Sequence, residues 1–279
     1  MRRPKPSYLP CVVRELPEPA LAFGHPDRLA VLKAKYWGPK VDLGVTFLDG
    51  ADVATKAKVL LYANKWGEYG NIRFRESADG EIRIAREKDG YWSYLGKDIL
   101  GIPKGKATMN LEGFTSRTPD REYDRVVCHE FGHTLGFPHE HERAEIIALL
   151  DVEKTVAYFQ RHGGWDRKTT MEQVFGVLDP KTIEATGVDL RSIMTYSFPG
   201  ECTKSGEPIP GGDRINDIDA KAVAKLYPKG DAPPPPTGTL PAAKVPVGVR
   251  VGGVQVSAEA SFAAGSKVGV VTGSASRTE

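Results

Sequence analysis

Between residues 41 and 228 the apolar positions change period, from two to about 3.6 and back, which predicts strands alternating with helices. Residues 45–48 form an apolar run that predicts a buried strand. Gly50-Ala51-Asp52 then opens a helix in which Val59, Ala63 and Trp66 repeat at helical spacing until Gly67. Ile72-Arg73-Phe74 and Ile82-Arg83-Ile84-Ala85 alternate as strands on either side of Ala78-Asp79-Gly80, and short stretches at 91–96 and 107–111 follow. Thr118-Pro119-Asp120 predicts a helix start, with a hydroxyl cap, a proline at the first position and an acid in the first turn. That helix should run for about 17 residues to Leu135. An amphipathic helix at 151–161 should end at Gly163-Gly164-Trp165, and a last one at 217–227 should stop at Pro228 and Gly230.

Both ends of the chain depart from this pattern. Residues 1–40 are rich in proline and show no sustained period before 30–36, so they read as an extension packed on the domain or as an inhibitory prosegment. Residues 229–241, with Pro233-Pro234-Pro235-Pro236, read as a stiff linker. Beyond it Val245, Val247, Val249 and Val251 alternate. Gly252-Gly253 offers a turn, and Val254, Val256, Ala258, Ala260 and Phe262 alternate again, the pattern of a hairpin at 242–279. That tail is too short to build a stable core of its own.

Composition adds bounds. With 279 residues, 40% of them hydrophobic, the chain can bury the core of one medium domain plus appendages. A net charge of +2 with both signs interspersed argues against nucleic acid as partner. No apolar run is long enough to span a membrane, and Met1-Arg2-Arg3-Pro4-Lys5-Pro6 leads into no apolar segment of a secretory signal. Cys11, Cys128 and Cys202 are too few and too scattered for a disulfide framework, although a Cys11–Cys202 pair stays open. Cys128 reads as a small core residue.

The chemistry concentrates in residues 129–139, His-Glu-Phe-Gly-His-Thr-Leu-Gly-Phe-Pro-His. On a helix, His129 and His133 project from one face and can reach one ion. Glu130 lies about 100° round the helix, beside the open position, where it can take a proton from water. Gly136 can adopt the left-handed conformation that ends a helix and turns the chain, so that His139 approaches from outside. Three imidazoles and an open position suit a catalytic zinc ion rather than a structural one. Val127, Cys128, Phe131 and Leu135 fall on the side away from the histidines and supply a core face.

His-Glu-x-x-His-x-x-Gly-x-x-His resembles the metzincin zinc endopeptidases, which also carry a methionine turn; this chain has Ser192-Ile193-Met194-Thr195-Tyr196. Tyr196, Phe137 and the run His139-Glu140-His141-Glu142-Arg143 are similar to the astacin family in particular. The resemblance covers roughly residues 41 to 228. It implies an α+β fold: an upper subdomain (41–136) with a twisted mixed sheet and two long helices, and an irregular lower subdomain (137–228) with the Met-turn. The cleft lies between them.

The resemblance further implies that Met194 floors the ligands, that Tyr196 steadies an oxyanion, and that 107–111 runs into the edge strand on which an extended peptide pairs antiparallel. Glu140 matches an acid that anchors a freed N-terminus. His141 reads as a support or surface residue, His162 as an ordinary surface histidine, and residues 199–210 as the wall of the pocket for the residue after the cut, with Glu201 and Lys204 giving no sign preference. If 1–40 is inhibitory, Cys11 or Asp27 is the side chain that reaches the metal. The expected activity is zinc-dependent cleavage of internal peptide bonds, by a family whose members are mostly secreted. The alternatives are a zinc-containing module that binds peptide without cutting it, and an amidase acting on a non-protein amide such as a peptidoglycan cross-link.

Overall fold

The computed structural model describes residues 11–14, 35–177, 188–230, 245–251, 254–261 and 270–273. They belong to two compact units, Met1–Gly230 and Asp231–Glu279.

The first unit is built on a six-stranded sheet. Its strands are β1 (Cys11–Arg14), β2 (Val41–Phe47), β3 (Ile72–Glu76), β4 (Ile82–Ala85), β5 (Tyr91–Tyr94) and β6 (Met109–Leu111), in the order β1-β5-β6-β4-β2-β3. β2 starts earlier than its apolar run suggests, because Val41, Leu43 and Val45 all face the core across the intervening Asp42 and Gly44. β2 pairs parallel with β3 and β4, and β4 pairs parallel with β6. β5 reverses onto β6 as an antiparallel neighbour.

That reversal corrects the expected edge. β6 lies inside the sheet with all three residues buried, and β5 is the outer strand of the catalytic sheet. β1 then adds to β5 in parallel, pairing Cys11 with Tyr91 and Arg14 with Tyr94. Nothing in four short residues of β1 announces this, since β-pairing is decided by the partner edge as much as by local propensity.

Helix α1 (Val53–Ala63) is capped by Asp52, which accepts from Thr55 N at 2.9 Å and Thr55 Oγ1 at 2.6 Å. A 3₁₀ turn then brings Trp66 into the core, where its Nε1 donates to Cys128 O at 2.9 Å. The helix carrying the histidines has three consecutive parts: α2 (Asp120–Glu122), a π-helical stretch (Tyr123–Val127) and α3 (Cys128–Thr134). Its start differs from expectation. Thr118 does not cap it; the hydroxyl accepts from Thr115 N at 3.1 Å, and Pro119 takes the cap position without a side-chain bond. One core joins Val59, Trp66, Phe74, Ile84 and Leu111 to the buried face of Val127, Cys128, Phe131 and Leu135. That burial supplies the dominant favourable contribution to folding.

After the histidines the chain forms α4 (Ala144–Ile147), α5 (Val152–Gly163), α6 (Arg167–Val174) and α7 (Asp217–Leu226). Asp151 caps α5, and Gly164 ends it at φ 69°. Asn216 and Asp219 form a reciprocal capping box at α7. A second core here includes Ile146, Phe159, Val174, Tyr196, Phe198 and Ile209. All three cysteines are free and buried, and no helix among the described residues is long and apolar enough to cross a membrane.

The second unit holds β7 (Val245–Val251), β8 (Val254–Ser261) and β9 (Val270–Gly273) in an antiparallel sheet of order β7-β8-β9. The first two are the expected hairpin; the third strand was not anticipated. The proline-rich linker, Gly252-Gly253, Phe262 and Asp27 lie outside the described residues.

Candidate active site

The helix and the turn after it deliver the three histidines to one point. Gly136 takes φ 94°, its N–H bonds to His133 O at 2.8 Å, and Phe137 N reaches back to Gly132 O at 3.1 Å. This left-handed closure sends the chain back towards the helix. His139 Nε2 then stands 3.3 Å from His129 Nε2 and 3.2 Å from His133 Nε2, which are 3.1 Å apart.

The outer ring nitrogens settle the tautomers. His129 Nδ1 is 2.6 Å from Ile193 O and His133 Nδ1 is 2.8 Å from Phe137 O, contacts that a carbonyl makes only with a protonated nitrogen. Their Nε2 lone pairs therefore face inward. Burial lowers the pKa of His129 to about 4. Burial and then the neighbouring imidazoles hold His133 and His139 well below the ordinary range. Three buried rings whose Nε2 atoms converge within 3.3 Å, with the lone pairs of His129 and His133 turned inward, offer a set of donors that a zinc ion fits.

Glu130 is fully buried on the same helix, and neither carboxylate oxygen has a hydrogen-bond partner among the described residues. Burial raises its pKa to about 8, only partly offset by the Cys11 thiol and the Arg125 guanidinium nearby. A buried carboxylate so little compensated is costly in a purely structural role and is suited to exchanging a proton.

The Met-turn lies beneath. Met194 is buried, and a Cβ added to Gly132 would stand 2.5 Å from Met194 Sδ, so the turn packs directly on the helix. Asp219 secures it by accepting from Ser192 Oγ at 2.6 Å and Ile193 N at 3.0 Å. Ile193 O is the acceptor for His129, so the turn orients that ring. His141, expected as a support or surface residue, is buried. Its Nε2 contacts Gln173 O at 3.1 Å and its ring lies 4.1 Å from that of Tyr196.

Two further residues, Tyr196 and Cys11, meet at the histidines. Tyr196 packs 4.4 Å from the His139 ring, but its hydroxyl donates to the main-chain carbonyl of Cys11. Cys11 joins the candidate metal group: its Sγ and the three histidines offer ligand atoms all within 4.8 Å of one another, a set that could hold an ion. Burial, and then the Glu130 carboxylate, push the thiol pKa well above its usual range. Only a cation in the group would make the thiolate favourable here. Glu140 bonds Arg143 at 3.1 Å, and its N–H donates to Met194 O.

A cavity of about 260 Å³ opens beside the histidines. Pro199 and Pro208 form part of its wall, as the sequence suggests. Glu201 is turned away to Arg161 at 2.6 Å and Lys204 to Ala148 O at 2.9 Å. The ionisable groups on the wall include Arg125 and Glu130, and His162 joins the lining. Arg125 was legible in principle, because it lies one helical turn before His129 on the same side. His162 was passed over because no motif surrounds it.

Comparison with known proteins agrees with this geometry. The profile of the Astacin peptidase family matches residues 30–206, more than half of the chain. Zinc metalloproteinase nas-27 of Caenorhabditis elegans is 26% identical over 127 residues, 45% of this chain; the chain spans only 28% of that relative's length. The structure of myroilysin superposes with a TM-score of 0.66 at 31% identity, covering 71% of this chain and 98% of that one. A hatching enzyme zinc-protease of the medaka fish, Oryzias latipes, shares the fold at a TM-score of 0.50 and 18% identity, over 70% of this chain and 95% of that one. The chain belongs to the astacin family of zinc metalloendopeptidases, whose members use one catalytic zinc ion.

Proposed function

We propose that this chain cleaves internal peptide bonds and that β1 holds it latent until it is displaced. The reading is carried by the convergence of three inward-facing Nε2 atoms beside a buried, unpartnered Glu130. His129, His133 and His139 would hold the zinc ion, and the chemistry supplied there would be polarisation of the peptide carbonyl and a lowering of the pKa of water towards about 7.

The residues divide the remaining work. Glu130 takes the proton of the attacking water and passes it to the departing amine nitrogen as the C–N bond breaks. Tyr196 now donates to the Cys11 carbonyl, the kind of acceptor a substrate also offers. With β1 gone, the phenol is free to turn towards the oxyanion, a contribution of a few kcal/mol in comparable sites. The substrate takes the edge that β1 occupies on β5, but antiparallel, with its residues before the cut beside Tyr94 and those after it running past Tyr91 into the cavity. Cys11 is the latch, since its thiol shares the space of the three imidazoles.

The test is digestion of denatured casein by the Cys11→Ala chain, with a chelator and with zinc restored, and mass spectrometry of the fragments. Internal cuts that stop with the chelator and return with zinc are expected. Zinc bound one per chain with no cut would overturn the endopeptidase reading.

A further inference from the structure

The strand in the cleft leaves an imprint on β5. Arg14, in register with Tyr94, lays its guanidinium carbon 3.7 Å from the centroid of the Trp92 ring, and one of its terminal nitrogens lies 2.9 Å from Asp89 Oδ2. Trp92 Nε1 donates to the same oxygen at 2.9 Å, which ties the ring to the carboxylate and orients both. Tyr94 stands edge-on to the indole, 6.0 Å away at 90°, and the indole is buried.

Apart from Arg14, none of these parts belongs to β1. Trp92 is on the catalytic sheet, and Asp89 is on the turn that leads into it. Asn110 holds that turn by donating to Glu87 O at 3.0 Å and Gly90 O at 2.6 Å, and Gly90 N donates to Glu112 Oε2 at 2.7 Å. The aromatic face and its carboxylate are therefore assembled by the catalytic domain itself and outlast the departure of β1.

We propose that Trp92 and Asp89 form a subsite for an arginine side chain of the substrate, which Arg14 fills while β1 is in place. The proposal rests on the endopeptidase reading and names part of its specificity. A planar guanidinium can stack on the indole and bond the carboxylate together, which an ammonium does less well, so arginine is preferred over lysine. Because a substrate pairs antiparallel to β5, the arginine falls on the acyl side, roughly two to four residues before the cut. The same register explains why an arginine of the chain's own strand can plug the site from the opposite direction.

The experiment uses a full chain carrying Cys11→Ala and Arg14→Ala, which frees the site, and a peptide library whose cut points are read by mass spectrometry. Arginine should be enriched about fivefold over lysine and glutamine at one acyl-side position, the sum of a stacked cation and a half-exposed ion pair. Asp89→Asn, added to that background, should lower the ratio of arginine to glutamine by about half, leaving the part owed to stacking on Trp92. Cleavage with no arginine preference, or a preference that Asp89→Asn leaves intact, overturns the subsite but not the enzyme. If nothing is cut, the enzyme reading fails, and binding decides the subsite. The same chain with Glu130→Gln is titrated with a fluorescent arginine peptide and its citrulline counterpart. Tighter binding of arginine that Asp89→Asn weakens sustains the subsite, and equal binding of the two peptides, or a difference that Asp89→Asn leaves unchanged, overturns it.

Discussion

Gly132 shows how closely single residues are specified around the histidines. A methyl group there would lie 2.5 Å from Met194 Sδ and 3.2 Å from the Trp66 ring, with both neighbours buried. Gly132→Ala should therefore cost about 1–3 kcal/mol through overpacking, read as a lower urea midpoint with an unchanged slope. An unchanged midpoint would show that the Met-turn yields without strain. His133→Ala removes one of three converging nitrogens and should abolish stoichiometric zinc in the purified chain, measured by elemental analysis. The histidines, Glu130 and Gly136 were legible in the sequence because their spacing states a geometry. Cys11 was legible only as one of two candidates to reach the metal, and Arg14 not at all, because their placement depends on which edge an isolated four-residue strand finds.

At the scale of elements, the Met-turn is held by a carboxylate rather than by its own sequence. Asp219, on α7, accepts from Ser192 Oγ, from Ile193 N and from Asn216 N, and is itself buried. Asp219→Ala would leave buried donors unmatched and should lower stability by roughly 2–4 kcal/mol in urea unfolding. Zinc affinity should fall with it, because Ile193 O orients His129. Normal zinc affinity in a weakened Asp219→Ala chain would separate the turn from the site. The helices at 53–63, 152–163 and 217–226 were legible by period and caps; the short ones at 144–147 and 167–174 were not, and at Thr118 the hydroxyl turned to Thr115 N instead of the helix. The sheet order was less so. The apolar run at 107–111 has the same look whether it lies at an edge or inside, and only the antiparallel return of β5 decides it.

At the scale of the whole catalytic unit, the histidine helix and the Ile193–Met194 turn share one core, and the contact of His129 Nδ1 with Ile193 O ties the turn to the candidate metal ligands. Zinc should then stabilise the fold as well as serve catalysis. At a thousandfold excess over its dissociation constant a ligand contributes about 4 kcal/mol, so chelation should lower the melting temperature by on the order of 10 °C. A melting curve indifferent to chelator would mean that the histidines are set by packing alone. The intact chain should also be less active than Cys11→Ala, since β1 closes the sheet edge and shares the metal group.

The measurement that bears most directly on the central claim compares Cys11→Ala with the same chain carrying Glu130→Gln, for zinc content and for cleavage of one peptide. Equal zinc, with turnover at least about 100-fold lower in the Gln variant, is the expected result. Equal zinc with comparable turnover would contradict it, because the buried carboxylate would then have no part in moving the proton.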